Sequence, residues 1–372
     1  MRQPRTRTVI LSGIVVAAAG LALAQTQQVS HRVLHEDLPS PSEKPQPTIG
    51  GGNGSNPTAI IAGDKRLPKP VTDAPAQKPK DGEPVLGAGG FAADRQTSMK
   101  PDGNTGPDST LHYASVFNPD VIPFKRMSVL DGVADDYTLR VARAALTEIA
   151  VGGTNDKARD RFWGSVLLQL TPGADVALPS VAPDMRILSY EIQPKLAVKF
   201  EKDGADNFYV RTDEAGAAGT YRLVFLADAD AGYFAPSLPQ GGRFTPRVIQ
   251  TMTPPELRPQ LPAAVARQAK VTLDRLQIDA DMDLGVVFNK LVGYFRGFEA
   301  KALPRNTGDI YRDLCDTQAG VCRHRAFAFM ITADAIGIPT RFVENEAHAF
   351  VEVWFPTRGW QRIDLGGAAL RM

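Results

Sequence analysis

The chain has 372 residues, 42 basic and 41 acidic, with a formal net charge of +1 and 43 % hydrophobic side chains. With charge this balanced and no long basic run beyond the first few residues, nothing in it points to nucleic acid as a partner. Its two cysteines, Cys315 and Cys322, exclude a disulfide scaffold, so folding rests on apolar packing.

Arg2, Arg5 and Arg7 precede an apolar run from Val9 to Ala24 that closes on the small residues Ala22-Leu23-Ala24. This is the layout of a signal peptide over 1–24 with cleavage before Gln25. The apolar run is shorter than the roughly 20 residues that a spanning helix needs, and an uncleaved amino-terminal membrane anchor is the alternative. The expected location is therefore extracytoplasmic, either periplasmic or secreted. Residues 25–107 are crowded with Pro, Gly, Ser, Asn and Lys, as in Pro45-Gln46-Pro47 and Gly50-Gly51-Gly52-Asn53-Gly54. So little apolar surface does not offset the entropy of ordering a chain, and the segment reads as a disordered linker.

From about residue 108 to 235 short alternating runs follow one another: Tyr137 to Val141, Phe162 to Leu170, Arg186 to Ile192, Leu196 to Phe200, Phe208 to Arg211 and Tyr221 to Phe225. Separated by Gly, Pro, Asp and Asn clusters, they predict an all-β, sandwich-like domain. Leu139 to Ala150 reads either as a short helix or as a longer strand. Asp228-Ala229-Asp230-Ala231-Gly232 resembles a calcium loop only superficially, because the third side-chain ligand and the distal glutamate are missing.

Residues 236–372 open on a Pro-rich junction, after which the period changes. Pro262 to Leu276 and Leu284 to Lys301 predict helices, the second with Val287, Leu291, Phe295 and Phe298 on one stripe. A third helix is expected from about Cys322 to Ile336, stopped by Gly337 with Pro339 beyond. Strands follow over Thr340 to Glu344, His348 to Phe355 and Trp360 to Asp364, so this domain is α+β.

Cys322, His348 and Asp364 lay out a thiol, an imidazole and a carboxylate, the parts of a cysteine-nucleophile acyl-transfer site. Cys322 heads its predicted helix, where the positive dipole end favours a thiolate; the alternative is a small buried hydrophobe on the Ala326, Phe329, Ala333 stripe. Strand alternation puts His348, Phe350, Glu352 and Trp354 on one face. A hairpin ladder centred on Pro356 would set His348 opposite Asp364, and a bulge at Gly359 would shift that register. His324, two places along the helix from Cys322, points roughly 200° away from it and is a poor proton acceptor for that thiol. Gln318, His324 and Trp354 are the candidate oxyanion or substrate contacts, with an exposed loop glutamine the plainer reading of Gln318. Cys315, seven residues before Cys322, is a possible disulfide partner that would silence the nucleophile. No metal and no organic cofactor is called for.

Gly320-x-Cys322-x-x-x-Ala326, Gly337-Ile338-Pro339, His348-Ala349-Phe350-Val351-Glu352-Val353 and Gly359-Trp360-x-x-x-Asp364, within Leu284 to Gly367, resemble the bacterial members of the transglutaminase-like superfamily. Where many relatives continue Asp-Pro-Thr, this chain has Asp364-Leu365-Gly366, and the Asn345-Glu346-Ala347 connection before His348 is short. The resemblance implies a papain-like α+β fold with Cys322 as nucleophile, His348 as base and Asp364 as its orienting carboxylate. It implies a protein or peptide amide as substrate and a thioester intermediate, with amine or water as acceptor. Two other readings stay open: a papain-like cysteine peptidase or amidase with the same triad, and a non-catalytic module of this fold used for binding.

Overall fold

The computed structural model describes residues 48–50, 58–62, 65–72, 85–88, 117–118, 124–236, 238–239 and 244–366. The predicted signal segment lies outside them. Among the described residues no helix is long and apolar enough to cross a membrane.

Within the stretch read as a disordered linker, three short strands, β1 (Thr48–Gly50), β2 (Ala59–Ala62) and β3 (Lys65–Pro68), form an antiparallel meander. A fourth, β4 (Val85–Gly87), lies along the sandwich, so the linker reading does not hold for these segments. The reason is one residue's burial: Ile60 packs fully buried with Trp163, Val224 and Leu226. Composition averaged over eighty residues hid a four-residue run that has a partner elsewhere in the chain.

The sandwich has two layers. One sheet is built on the twelve-residue pair β10 (Arg159–Leu170) and β15 (Gly219–Asp230), flanked by β12 (Arg186–Gln193), β4 and β5 (Phe117–Asn118). The other runs in the order β11 (Asp175–Leu178), β14 (Phe208–Arg211), β13 (Lys199–Lys202), β9 (Thr147–Ile149). Period-two alternation sends Val166, Leu168, Leu223 and Phe225 between the sheets, and Trp163, Val224 and Leu226 out toward the meander. Gly164 faces Phe225 across the ladder, and a Cβ there would lie 2.2 Å from the ring. Leu139 to Ala150 contains no helix, only β8 (Leu139–Arg140), which pairs with β7 (Gly132–Val133), and β9. Asp228 is held by Arg159 (2.9 Å) and Arg186 (2.5 Å) rather than facing an ion site, and Asp230 caps Gly232 N–H at 2.8 Å.

In the carboxy-terminal part, α1 (Pro246–Met252), α2 (Ala263–Arg275), α3 (Leu284–Arg296), α4 (Ile310–Thr317) and α5 (Cys322–Ala335) share a core with one face of a four-stranded sheet. Its order is β18 (Gly359–Ile363), β17 (Ala349–Phe355), β16 (Thr340–Glu344), β6 (Ser128–Leu130). The last strand, β6, comes from the segment that sequence assigned to the sandwich, and Leu130, Val133, Tyr137 and Leu139 pack in the helical core. Helix α5 is buried on all sides, which suits the central element of an α/β layer. It ends where expected: Gly337, at φ +87°, donates to the Asp334 carbonyl. Helix α4 was not foreseen. Its signals are short: Asp309 caps it by accepting from Arg312 N–H at 2.9 Å, and Ile310, Tyr311, Leu314 and Cys315 form the buried stripe.

The alternation along β17 is as predicted. Ala349, Val351, Val353 and Phe355 face the helices, whereas Phe350 and Glu352 face the sandwich. Glu352, fully buried, accepts from Arg126 (2.8 Å), Arg341 (2.6 Å) and Tyr233 (2.6 Å). Arg126 also reaches Ser180, and Arg341 reaches Asp206. A buried carboxylate with this many donors remains ionised, and burial, which works against it, is outweighed by the two guanidinium groups. The network ties the sandwich to the strand that follows His348.

Candidate active site

The turn that leads into α5 is shaped by two unusual backbone positions. Gln318 adopts a left-handed conformation (φ 47°) that ends α4, and Gly320 lies at φ +151°. A Cβ at Gly320 would sit 2.5 Å from the His324 Cβ, so only glycine fits. Glu299 secures the turn from outside, donating from its N–H to the Gln318 carbonyl and accepting from Gly320 N–H, both at 2.8 Å. Cys322 is thereby delivered as the first residue of α5, 4 % exposed, at the end of the helix where the dipole favours an anionic sulfur.

His348 arrives from the other side, just before β17. Asn345 builds its turn: the side-chain oxygen accepts from Ala347 and His348 N–H at 3.0 and 2.8 Å, and the side-chain amide donates to the Lys125 carbonyl at 2.9 Å. Lys125 and Glu346 pair across the same turn. Asp364 follows β18 directly. The ladder places Phe355 opposite Gly359, so the hairpin is centred on Thr357, at φ 65°, and not on Pro356. His348 and Asp364 are therefore diagonal neighbours instead of directly opposed. An even separation keeps them on one face in either register, which is why the contact survives the one-residue shift.

The contact is close. His348 Nε2 lies 3.0 and 2.9 Å from the two Asp364 carboxylate oxygens, and both residues are buried. Asp364 also accepts from Gly366 N–H at 2.8 Å and from Arg362 at 2.5 Å, while Arg296 donates to its carbonyl at 2.7 Å. Burial pulls the imidazole of His348 down, but the Asp364 carboxylate and a hydrogen bond with Cys322 raise it to about 9. Burial works against the Asp364 carboxylate, yet His348 and Arg362 hold it far below the usual carboxylate range. With Nε2 engaged by the carboxylate, Nδ1 is the ring nitrogen left to exchange a proton with the thiol. It is buried. The structure thus brings Cys322, His348 and Asp364 together.

The other candidates lie elsewhere. His324 is buried, and its Nδ1 accepts from Val321 N–H at 3.2 Å, closing the first turn of α5. Burial, with Arg323 adding to it, lowers its imidazole to about 3, so it stays neutral and structural. Gln318 turns its amide onto the Tyr294 carbonyl at 3.2 Å. Trp354 is six residues beyond His348, about 20 Å along the strand, and pairs across the hairpin with Trp360. Cys315 is a free, buried thiol, pushed up to about 12 by burial, and forms no disulfide with Cys322. Sequence reasoning missed Asn345, Arg362, Arg296 and Phe124, whose roles depend on contacts between distant segments. The one available signal was polar or charged residues next to the motif.

A cleft of about 300 Å³ opens between the sandwich and the tip of the hairpin, lined by residues that include Asp184, Lys202, Asp206, Tyr233, Arg358 and Trp360. It lies at the opposite end of β18 from Asp364, and its lining includes none of Cys322, His348 and Asp364. Among the described residues no group of three or more His, Cys, Asp or Glu side chains is placed to hold a metal ion.

Residues 289–365 match the family model of the transglutaminase-like superfamily. This part of the chain, which contains Cys322, His348 and Asp364, is a transglutaminase-like domain. Among solved structures the chain is similar to the periplasmic domain of TgpA from Pseudomonas aeruginosa bound to ethylmercury, at 18 % identity over 70 % of this chain and 84 % of that one, with a TM-score of 0.39. The same domain without that addition gives 19 % identity, 70 % and 83 % coverage, and a TM-score of 0.38. A candidate cysteine protease from Cytophaga hutchinsonii gives 13 %, 60 %, 82 % and 0.30. No curated protein matches the sequence.

Proposed function

We propose that this protein is an exported cysteine enzyme that acts on protein or peptide amide groups through Cys322, His348 and Asp364. The observation that carries the reading is the arrangement of one imidazole between a carboxylate, at 2.9 Å, and the thiol at the start of α5. A proton leaving the sulfur is held on His348, because the buried carboxylate favours the charged ring. The thiolate adds to the amide carbonyl carbon. As the tetrahedral species collapses, the C–N bond breaks and His348 gives its proton to the departing amine or ammonia. A thioester remains on Cys322. His348, now neutral, takes a proton from the incoming amine or water, whose attack releases the new amide or the acid and restores the thiolate–imidazolium pair. Asp364 keeps the ring in the tautomer and orientation that both proton transfers require. Amine acceptors make the enzyme a transferase; water makes it an amidase or peptidase. Export is supported by Arg2, Arg5, Arg7 and the Ala22-Leu23-Ala24 site.

The test is product analysis on a glutamine peptide, with and without a labelled primary amine. Incorporation of the amine identifies a transferase, release of ammonia alone a hydrolase, and internal cleavage a peptidase. Cys322→Ala and His348→Ala are expected to abolish turnover. Absence of turnover in the wild type, together with a Cys322 that thiol-directed electrophiles do not label, would leave a non-catalytic binding module.

A further inference from the structure

We propose that Arg362 is a positioning residue for this site, and that Phe124, by clamping it, makes the reactivity of Cys322 depend on the docked sandwich. The inference rests on the triad reading above. Arg362 is fully buried and donates to Asp364 Oδ2 at 2.5 Å. Its guanidinium carbon lies 4.5 Å from the ring centroid of Phe350 and 4.5 Å from that of Phe124, so the planar group packs against two aromatic rings. Phe350 belongs to the catalytic sheet. Phe124 belongs to the sandwich core, where it packs edge-on against Phe234 at 5.3 Å, and Phe234 packs against Phe162 at 5.4 Å. A carboxylate held only by an imidazole is free to rotate about its Cβ–Cγ bond. Here the clamped Arg362 Nη2 fixes one oxygen and Gly366 N–H fixes the other.

Arg362 also places a positive charge on the carboxylate that holds His348, since both donate to Asp364 Oδ2. Other charges near the pair are already engaged. Arg126 and Arg341 hold Glu352, which also accepts from the Tyr233 hydroxyl, and Lys125 pairs with Glu346. Arg296 and Arg325 donate to the backbone carbonyls of Asp364 and Leu365. Cys322 is the remaining titratable neighbour of the ring. Removing the Arg362 charge leaves the imidazolium as the charged partner of the carboxylate, which raises the pH at which His348 loses its proton, by about one unit. The looser carboxylate lowers kcat roughly tenfold with little change in KM.

The experiment uses the full chain. His348 is titrated by NMR of its ring nitrogens, and the pH dependence of kcat/KM is measured, for the wild type, Arg362→Gln, Arg362→Lys, Phe124→Ala and Phe124→Leu. Arg362→Gln is expected to move the His348 titration and the alkaline limb of the rate profile upward together. Arg362→Lys is expected to restore the limb but not kcat. The Phe124 variants change no charge, so they should lower kcat several-fold with the limb in place; Phe124→Leu keeps the sandwich apolar core if Phe124→Ala does not fold. A wild-type limb that is unchanged in Arg362→Gln, with kcat also unchanged, overturns the inference and leaves the triad standing. Unchanged kcat in folded Phe124→Leu overturns the part assigned to the sandwich. A His348 that titrates near 6.5 in the wild type, beside an unreactive Cys322, removes the triad reading and this inference with it.

Discussion

Asp364→Asn isolates the electrostatic half of the site. Both carboxylate oxygens lie within 3.0 Å of His348 Nε2 in a buried setting, so replacing the carboxylate removes a full charge and keeps the shape. The imidazole stands at about 9 in the folded protein against an ordinary 6.5, although burial alone would lower it. The difference is worth about 3 kcal/mol in favour of the protonated ring. In the variant the carboxylate's support is gone while burial and the Arg362 charge remain, and the titration should fall to or below the ordinary value. At about pH 7.5 the protonated fraction then drops from nearly all to roughly a tenth or less, so proton delivery to the leaving amine should slow about tenfold or more. The introduced side-chain amide adds to the loss by favouring the wrong ring tautomer. Two readouts apply: the alkaline limb of kcat/KM, expected near 9 in the wild type and near or below 6.5 in the variant, and the rate at which iodoacetamide labels Cys322. Cys315, buried and pushed up to about 12, is an internal control for the labelling. The sign for folding is separate: a raised histidine stabilises the fold fully below pH 6.5, and that contribution is lost as pH rises through about 9. A variant whose alkaline limb stays near 9 would refute the reasoning.

His324 makes the opposite prediction for stability. Its imidazole is lowered to about 3, so the unfolded chain binds the extra proton, and stability present above pH 6.5 is lost as pH falls toward 3. The loss by pH 4 is about 3 kcal/mol, and His324→Gln, which keeps an acceptor for Val321 N–H, should lose less on acidification; parallel urea curves for the two proteins from about pH 7 to 4 would contradict this. In the amino-terminal meander, Ile60→Ala should lower stability by about 2–4 kcal/mol because Ile60 is fully buried against Trp163, Val224 and Leu226. An unchanged unfolding midpoint would mean that the meander does not contribute to the cooperative unit.

Much of the carboxy-terminal domain was legible because it is local or periodic. The helix from Cys322 ends at Gly337 because its stop signal sits within a few residues. The face of β17 that carries Phe350 and Glu352 follows from period two alone, and so does the shared face of His348 and Asp364. What local pattern does not carry is register and partnership. The hairpin is centred on Thr357 because a non-glycine residue there adopts a left-handed backbone, an exception no propensity announces. β6 leaves the sandwich side of the chain to become the edge strand of the carboxy-terminal sheet, and its pairing partner, β16, is some two hundred residues away. Arg362 reads in sequence as one more charge beside a motif. Only in three dimensions does Phe124, from the other domain's core, close over it and aim it at Asp364. Chemistry was written in residue order; the tertiary structure decided which charges share a buried volume, where the low dielectric makes each contact count.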